Sequence, residues 1–472
     1  MTDLPQPTPD WSPDSWRTRP AQQAVEYPDP HAVDAAIAKL RSFPPLVTSW
    51  EIERLKNNIA DAQQGKRFLL QGGDCAETLA ECRPENITNK LKILLQMSLV
   101  LVHASHMPVI RVGRFAGQYA KPRSSMTETR ASGNGPVTLP SYFGDLVNHA
   151  DFNPDSRRPD PHLLVRAYQH ASLTLNFIRS LLEGGFADVH HPEYWNLSFL
   201  RQADLSEERR AEYERVSSSL AEALEFMEAL GEAKVHELTR VEFFTSHEGL
   251  NLLYESAQTR QVPRRSGWYD LTTHLPWIGE RTRDVRGAHV EFFRGIANPV
   301  GVKVGPKASP DELLELLRVL NPANEPGKII LITRLGAGAV ARVLPPLVDA
   351  VGRARARVLW VCDPMHANGM TTAAGIKTRS FDAICRELRD THDLLHALGR
   401  SLDPGLPPVH LGGVHFELTG EDVTECVGGA SGVTEASLST NYASLCDPRL
   451  NYSQSLELAF LLAGLLRGRR GA

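Results

Sequence analysis

The amino-acid sequence predicts an α/β fold: a (β/α)8 TIM barrel with an N-terminal extension and extra helices inserted after the second strand. Three observations point there. Eight short apolar or β-branched runs follow one another along the chain, each ends at a polar residue, and the later ones are spaced for one crossover helix apiece. With 472 residues the chain has room for a barrel of about 250 residues plus additions.

The elements are expected in this order. Residues 1–30, rich in Pro, Asp, Ser and Trp, read as an extended arm. Helices are expected over 31–40 and 49–64, the second because Ile52, Leu55 and Ile59 recur at helical spacing. This divides the chain into residues 1–66, packing on the barrel or at a subunit interface, and residues 67–472, the catalytic barrel. Its strands are expected at 68–73, 108–113, 241–245, 268–273, 301–305, 328–333, 358–362 and 414–416. The gap after the second strand is too long for one helix, so inserted helices are expected at about 140–240. Two helical stretches stand out there, at 161–182 and at 206–230, the latter with Tyr213, Val216, Leu220, Leu224 and Met227 in phase.

Composition narrows the class. Apolar residues at 42% and charged residues at 23% are those of an ordinary globular protein. A formal net charge of −5 argues against a nucleic-acid partner, so any cationic site must be a local concentration. No run of about 18 apolar residues exists, and the first residues lack a basic stretch before an apolar core. Neither a membrane span nor a secretory signal is therefore expected. Six cysteines without framework spacing suit free or metal-bound thiols in a reducing cytoplasm.

The chemistry is expected where the strands end. The first run closes on Asp74 and Cys75, and the second on Arg114, followed by Lys121, Arg123 and Ser124. The third is followed by His247 and Glu248, and the fourth by Glu280 and Arg281. Lys303 lies in the fifth, while Arg334, His366 and Glu417 close the last three, and Asp447 precedes the C-terminal helix. Polar residues at all eight C-terminal ends exceed what packing requires, and that rim is where such barrels react. Cys75, His366, Glu417 and Asp447 offer a thiolate, an imidazole and two carboxylates, a donor set for a divalent transition metal. Several guanidinium groups and a lysine suit phosphate and carboxylate anions. Singly, each has a plainer reading: Cys75 as a structural thiol, His366 as a strand cap, the arginines as ion-pair partners, Lys303 as an interior lysine paired to a carboxylate. Glu280 could simply pair with Arg281, and Glu425 and Cys426 are expected to be structural. Together they point to an aldol-like condensation of a phosphorylated enol with a phosphorylated aldehyde. A Rossmann fingerprint and a Walker loop are both absent.

Several segments resemble the type II 3-deoxy-D-arabino-heptulosonate 7-phosphate (DAHP) synthases. They include Gly72-Gly73-Asp74-Cys75, Lys121-Pro122-Arg123-Ser124 and Trp277-Ile278-Gly279-Glu280-Arg281. Later ones are Cys362-Asp363-Pro364-Met365-His366, Lys377-Thr378-Arg379 and Cys446-Asp447-Pro448-Arg449, and the likeness runs from about Trp11 onward. The resemblance implies a transferase of the shikimate pathway that joins phosphoenolpyruvate to erythrose 4-phosphate. It implies Cys75, His366, Glu417 and Asp447 as ligands of Mn²⁺, Co²⁺ or Zn²⁺. It implies Arg114, Glu280, Arg281, Lys303 and Arg334 around phosphoenolpyruvate, and Lys121, Arg123 and Ser124 around the erythrose phosphate. Glu280, Lys303 and Glu248 are the implied catalytic groups. A homo-oligomer, dimer or tetramer, is expected, with a chorismate mutase as a candidate partner. The chain departs from the family pattern at Phe143, where arginine is usual, and at Ala367 and Gly369. Those departures leave two alternatives: an amino-DAHP synthase of an aminoshikimate route, or a catalytically weak regulatory subunit. Finally, Cys446 beside Asp447 is expected within disulfide reach of Cys75 in metal-free protein.

Overall fold

The computed structural model describes residues 11–184 and 241–468, apart from 132, 134, 402 and 404, together with Ala211 and Ser218. Eight parallel strands close into one barrel: β1 Phe68–Gly73, β2 Val109–Arg114, β3 Phe243–Glu248, β4 Leu275–Ile278, β5 Val300–Val304, β6 Ile329–Thr333, β7 Val358–Cys362 and β8 Leu411–Glu417. Each strand pairs with its neighbours in chain order, and β8 closes on β1 with Gly73 opposite both Glu417 and Arg114. Such strands are covered on both faces, which is why β5 to β8 are buried at every position.

The sequence misplaced one strand. Residues 268–273 do not enter the barrel; Trp268–Asp270 pairs antiparallel with Thr259–Gln261 in a separate hairpin. The fourth barrel strand is Leu275–Ile278, whose Pro276 lacks an N–H and disguises it as a loop. The shift has a consequence for the site, since Glu280 and Arg281 now follow a barrel strand by two and three residues. The third strand also runs further than expected, so His247 and Glu248 are its last residues.

Helix α1, Pro30–Ser42, starts at Asp29, whose carboxylate accepts the N–H groups of His31 and Ala32. Helix α2, Ser49–Gln63, starts with a Thr48/Glu51 capping box, worth about 1 kcal/mol. Leu55, Ile59 and Ala62 of α2 are fully buried in one apolar cluster with Leu69, Ile110, Phe244, Ile332 and Val361. The N-terminal extension thus contributes apolar side chains to the barrel interior, and chemistry is left to the opposite mouth. Of the inserted helices, His162–Glu183 forms where one was expected at 161–182, and the stretch 206–230, apart from Ala211 and Ser218, lies outside the described residues. No helix among the described residues is long and apolar enough to cross a membrane.

Candidate active site

A cavity of about 280 Å³ opens at the C-terminal ends of the strands. All thirteen residues assigned to the metal or the substrates line it: Cys75, Arg114, Lys121, Arg123, Ser124, Glu248, Glu280, Arg281, Lys303, Arg334, His366, Glu417 and Asp447; the strand-end residues Asp74 and His247 do not. Barrel closure is what unites them, because positions 75, 366, 417 and 447 share no local segment.

One wall holds the metal-ligand candidates. Donor atoms of Cys75, Glu417 and Asp447 lie within 4.8 Å of one another. His366 Nε2 stands 2.9 Å from Glu417 Oε1, and its Nδ1 is 2.7 Å from Asp363 Oδ2. A carboxylate on Nδ1 leaves Nε2 as the nitrogen that faces the cluster, the arrangement that orients a ligating histidine. Donor chemistry and placement therefore fit a divalent transition metal, and Cys75, His366, Glu417 and Asp447 are the residues able to hold it.

Cations compensate this wall. Arg114 Nη2 donates to Glu417 Oε1 at 3.0 Å, Arg114 Nη1 lies 2.8 Å from His415 Nε2, and Arg379 Nη1 is 2.7 Å from Glu417 Oε2. Burial would raise the Glu417 carboxyl, but His366, Arg379 and Arg114 hold it well below the usual range. Lys121 Nζ lies 2.7 Å from Cys75 Sγ and 2.6 Å from Asp447 Oδ2. Lys121, placed by resemblance at the sugar phosphate, thus also meets two metal-ligand candidates. Lys121 is the main reason that Asp447 is held below the ordinary range. Burial drives the Cys75 thiol well upward, and Cys446, also a free thiol, packs against it.

The floor carries Lys303, whose ammonium pairs with Asp363. The interior ion pair and the cavity position coexist in this residue. Burial lowers Lys303 to about 8, with Arg114 adding to the effect and Asp363 opposing it. Trp277 lies under both cations, its ring 5.2 Å from the Arg114 guanidinium carbon and 5.8 Å from Lys303 Nζ. Glu248 is raised by burial, partly offset by Lys121 and Lys303. Its carboxylate packs against Gly279, the residue after β4, where a Cβ would come within 2.0 Å of Oε1.

The rest of the lining includes three arginines, with Ser124 and Glu280. Arg334 Nη2 donates to the His366 carbonyl at 2.8 Å, and Arg281 Nη2 donates to Ser124 Oγ at 2.9 Å. The Arg123 N–H donates to Gln23 Oε1, in the N-terminal arm, at 2.6 Å. Glu280 pairs with Arg283 rather than Arg281, and its Oε2 accepts the Gly305 N–H at 2.7 Å.

Three residues escaped the sequence reading. Asp363 bridges Lys303 and His366, Arg379 reaches Glu417, and Lys377 lies 3.6 Å from Asp447 Oδ1 at the cavity mouth. The spacing Asp363-Pro364-Met365-His366 was a usable signal for the first. Nothing local marks Arg379, which comes from the short hairpin Gly369–Thr371/Lys377–Arg379. Glu425 is structural as expected, binding Arg449 at 2.9 Å and the Ser444 N–H at 2.8 Å, which braces the Asp447 loop.

The sequence profile of the Class-II DAHP synthetase family matches residues 11–463. A phospho-2-dehydro-3-deoxyheptonate aldolase of Neurospora crassa is 48% identical over 98% of this chain and 95% of its own length. Proteins of the same name from Streptomyces coelicolor and Mycolicibacterium smegmatis are 45% and 44% identical, each over 96% of this chain and over 97% and 94% of their own lengths. The chain belongs to the class-II DAHP synthetase family and is an enzyme of that class.

Proposed function

We propose that this enzyme condenses phosphoenolpyruvate with erythrose 4-phosphate and water to give DAHP and phosphate, the entry reaction of the shikimate pathway. The observation that carries the reading is a single cavity holding both a Cys/His/Glu/Asp donor set and six cationic anchors. Arg114, Lys303 and Arg334 take the phosphate and carboxylate of phosphoenolpyruvate, with Arg281 alongside. Lys121, Arg123 and Ser124 take the erythrose phosphate. Holding two anions that repel each other in solution at a fixed separation is chiefly a proximity effect.

When bound by Cys75, His366, Glu417 and Asp447, a divalent ion supplies Lewis-acid polarisation of an aldehyde carbonyl. C3 of the enol forms the new bond to C1 of the aldehyde, whose oxygen takes a proton and becomes a hydroxyl. Glu248 lines the same cavity and is suited to hold the proton, because burial raises its pKa. Water, placed by Glu280 and Lys303, adds at C2 and releases one proton, equal to the one taken up at the aldehyde oxygen. The hemiketal then breaks its C2–O bond to phosphate, which leaves with the proton of the C2 hydroxyl. Arg334 and Lys303 steady the departing phosphate. Mn²⁺, Co²⁺ and Zn²⁺ all suit these donors.

The test follows phosphoenolpyruvate by its ultraviolet absorbance with purified, metal-loaded protein. Consumption should require erythrose 4-phosphate and stop on chelation. Phosphate release without aldehyde would instead mark a hydrolase, and activity only with an imino sugar phosphate an amino-DAHP synthase.

A further inference from the structure

Two buried carboxylates outside the cavity hold the loops that line it. Glu77 is 4% exposed and follows β1 by four residues. Its Oε1 accepts the Ala116 N–H at 3.0 Å, and its Oε2 accepts those of Gly117 at 3.0 Å and Gln118 at 2.9 Å. The Glu77 N–H donates back to the Gln118 carbonyl at 2.8 Å. Three successive amides converging on one anion form a nest, here filled by the chain's own side chain. Ala116 sits at φ 61°, a left-handed conformation that a residue with a Cβ keeps only when its surroundings impose it. From this clamp the loop runs directly to Lys121, Arg123 and Ser124.

Glu387 does the same work across the mouth. It is 1% exposed, on the helix Phe381–Ser401. Its Oε1 accepts the N–H groups of Leu335 at 2.8 Å and Gly336 at 2.9 Å, and its Oε2 accepts from Asn368 Nδ2 at 2.6 Å. Asn368 in turn accepts the Ala337 N–H at 3.1 Å. The clamped residues flank Arg334.

We propose that Glu77 and Glu387 are positioning residues for two different substrates: Glu77 sets the loop that takes the sugar phosphate, and Glu387 sets Arg334 for phosphoenolpyruvate. The inference rests on the substrate reading above. Neither carboxylate lines the cavity, so each acts only through the groups it holds. Replacing Glu77 by Gln turns one accepting oxygen into an NH₂ that faces amide donors whichever way it points. In Glu387→Gln the amide oxygen can keep Leu335 and Gly336, and the loss falls on Asn368.

The experiment measures kcat and both KM values for Glu77→Gln, Glu77→Ala, Glu387→Gln and Glu387→Ala in metal-loaded full-length enzyme. Hydrogen–deuterium exchange is read alongside in peptides covering 115–121 and 334–338. Glu77 variants should raise the KM for erythrose 4-phosphate about tenfold and leave that for phosphoenolpyruvate within about twofold; Glu387 variants should do the reverse. Exchange should accelerate only in each variant's own loop. Both KM values rising together, or exchange unchanged in the clamped loop, would overturn the proposal. If the unmodified enzyme fails to consume the two substrates, the substrate reading falls by itself. Exchange then decides the clamps: acceleration confined to the clamped loop upholds them, and uniform acceleration overturns them. The isosteric Gln variants keep side-chain volume, so the comparison does not depend on the Ala variants folding.

Discussion

Along one wall and the floor of the cavity, Arg114, Glu417, His366, Asp363 and Lys303 form a continuous chain of ion pairs and hydrogen bonds, with Arg114, Glu417 and Asp363 all but sealed from water. Across from it, Ser124 and Arg281 are exposed and meet through one neutral-to-cation hydrogen bond. The first wall is organised before any substrate arrives, because a buried charge without a partner is costly. The second is organised by the backbone beneath it, since exposed charges gain little from each other. The same side-chain chemistry is therefore a folding requirement on one side and a binding device on the other.

Glu417→Ala should break this contrast most severely. It leaves the Arg114 and Arg379 guanidiniums buried without their carboxylate, so a loss of about 3–5 kcal/mol in stability is expected along with all activity. Chemical denaturation measures it, and a variant as stable as its parent would show that the wall is not a single network.

Metal removal comes next. Chelation should abolish turnover, and re-addition of Mn²⁺, Co²⁺ or Zn²⁺ should restore it and raise the thermal midpoint, by about 2.7 kcal/mol of stability at a hundredfold excess over Kd. Mild oxidation of the metal-free protein should then cost it two of its six free thiols, Cys75 and Cys446, while loaded protein keeps all six. An unchanged thiol titre in metal-free protein would sink that pairing.

Lys303 gives a pH signature. Its ammonium, lowered to about 8, is charged below that pH and neutral above it. The kcat/KM for phosphoenolpyruvate should accordingly fall as pH rises through 8, approaching about tenfold per unit. Lys303→Arg keeps its charge at any accessible pH, so the fall should move out of range whatever the activity that remains. Persistence of the same limb in that variant would assign it elsewhere.

The smallest effects belong to the exposed wall. Arg281→Ala should raise the KM for a phosphorylated substrate about tenfold yet change stability by no more than about 0.5 kcal/mol, and Ser124→Ala should do less of both. A stability loss comparable with Glu417→Ala would erase the distinction between the walls.

Much of this site was legible in the chain itself. Short apolar runs ending at Cys75, Arg114, His366 and Glu417 are local patterns, and a barrel of parallel strands exposes its chemistry where those runs end. The fourth strand was not legible, because Pro276 breaks the β signature and the neighbouring residues 268–273 imitate it. Which charges meet was not legible either. Lys121 against Cys75, Asp363 between Lys303 and His366, and Arg379 on Glu417 join positions as much as 60 residues apart. The sequence alone determined the residue types at each strand end, since alternation and burial act over a few neighbours. Only the closed barrel decided their partners, because bringing β8 beside β1 sets the separations on which ion pairing depends.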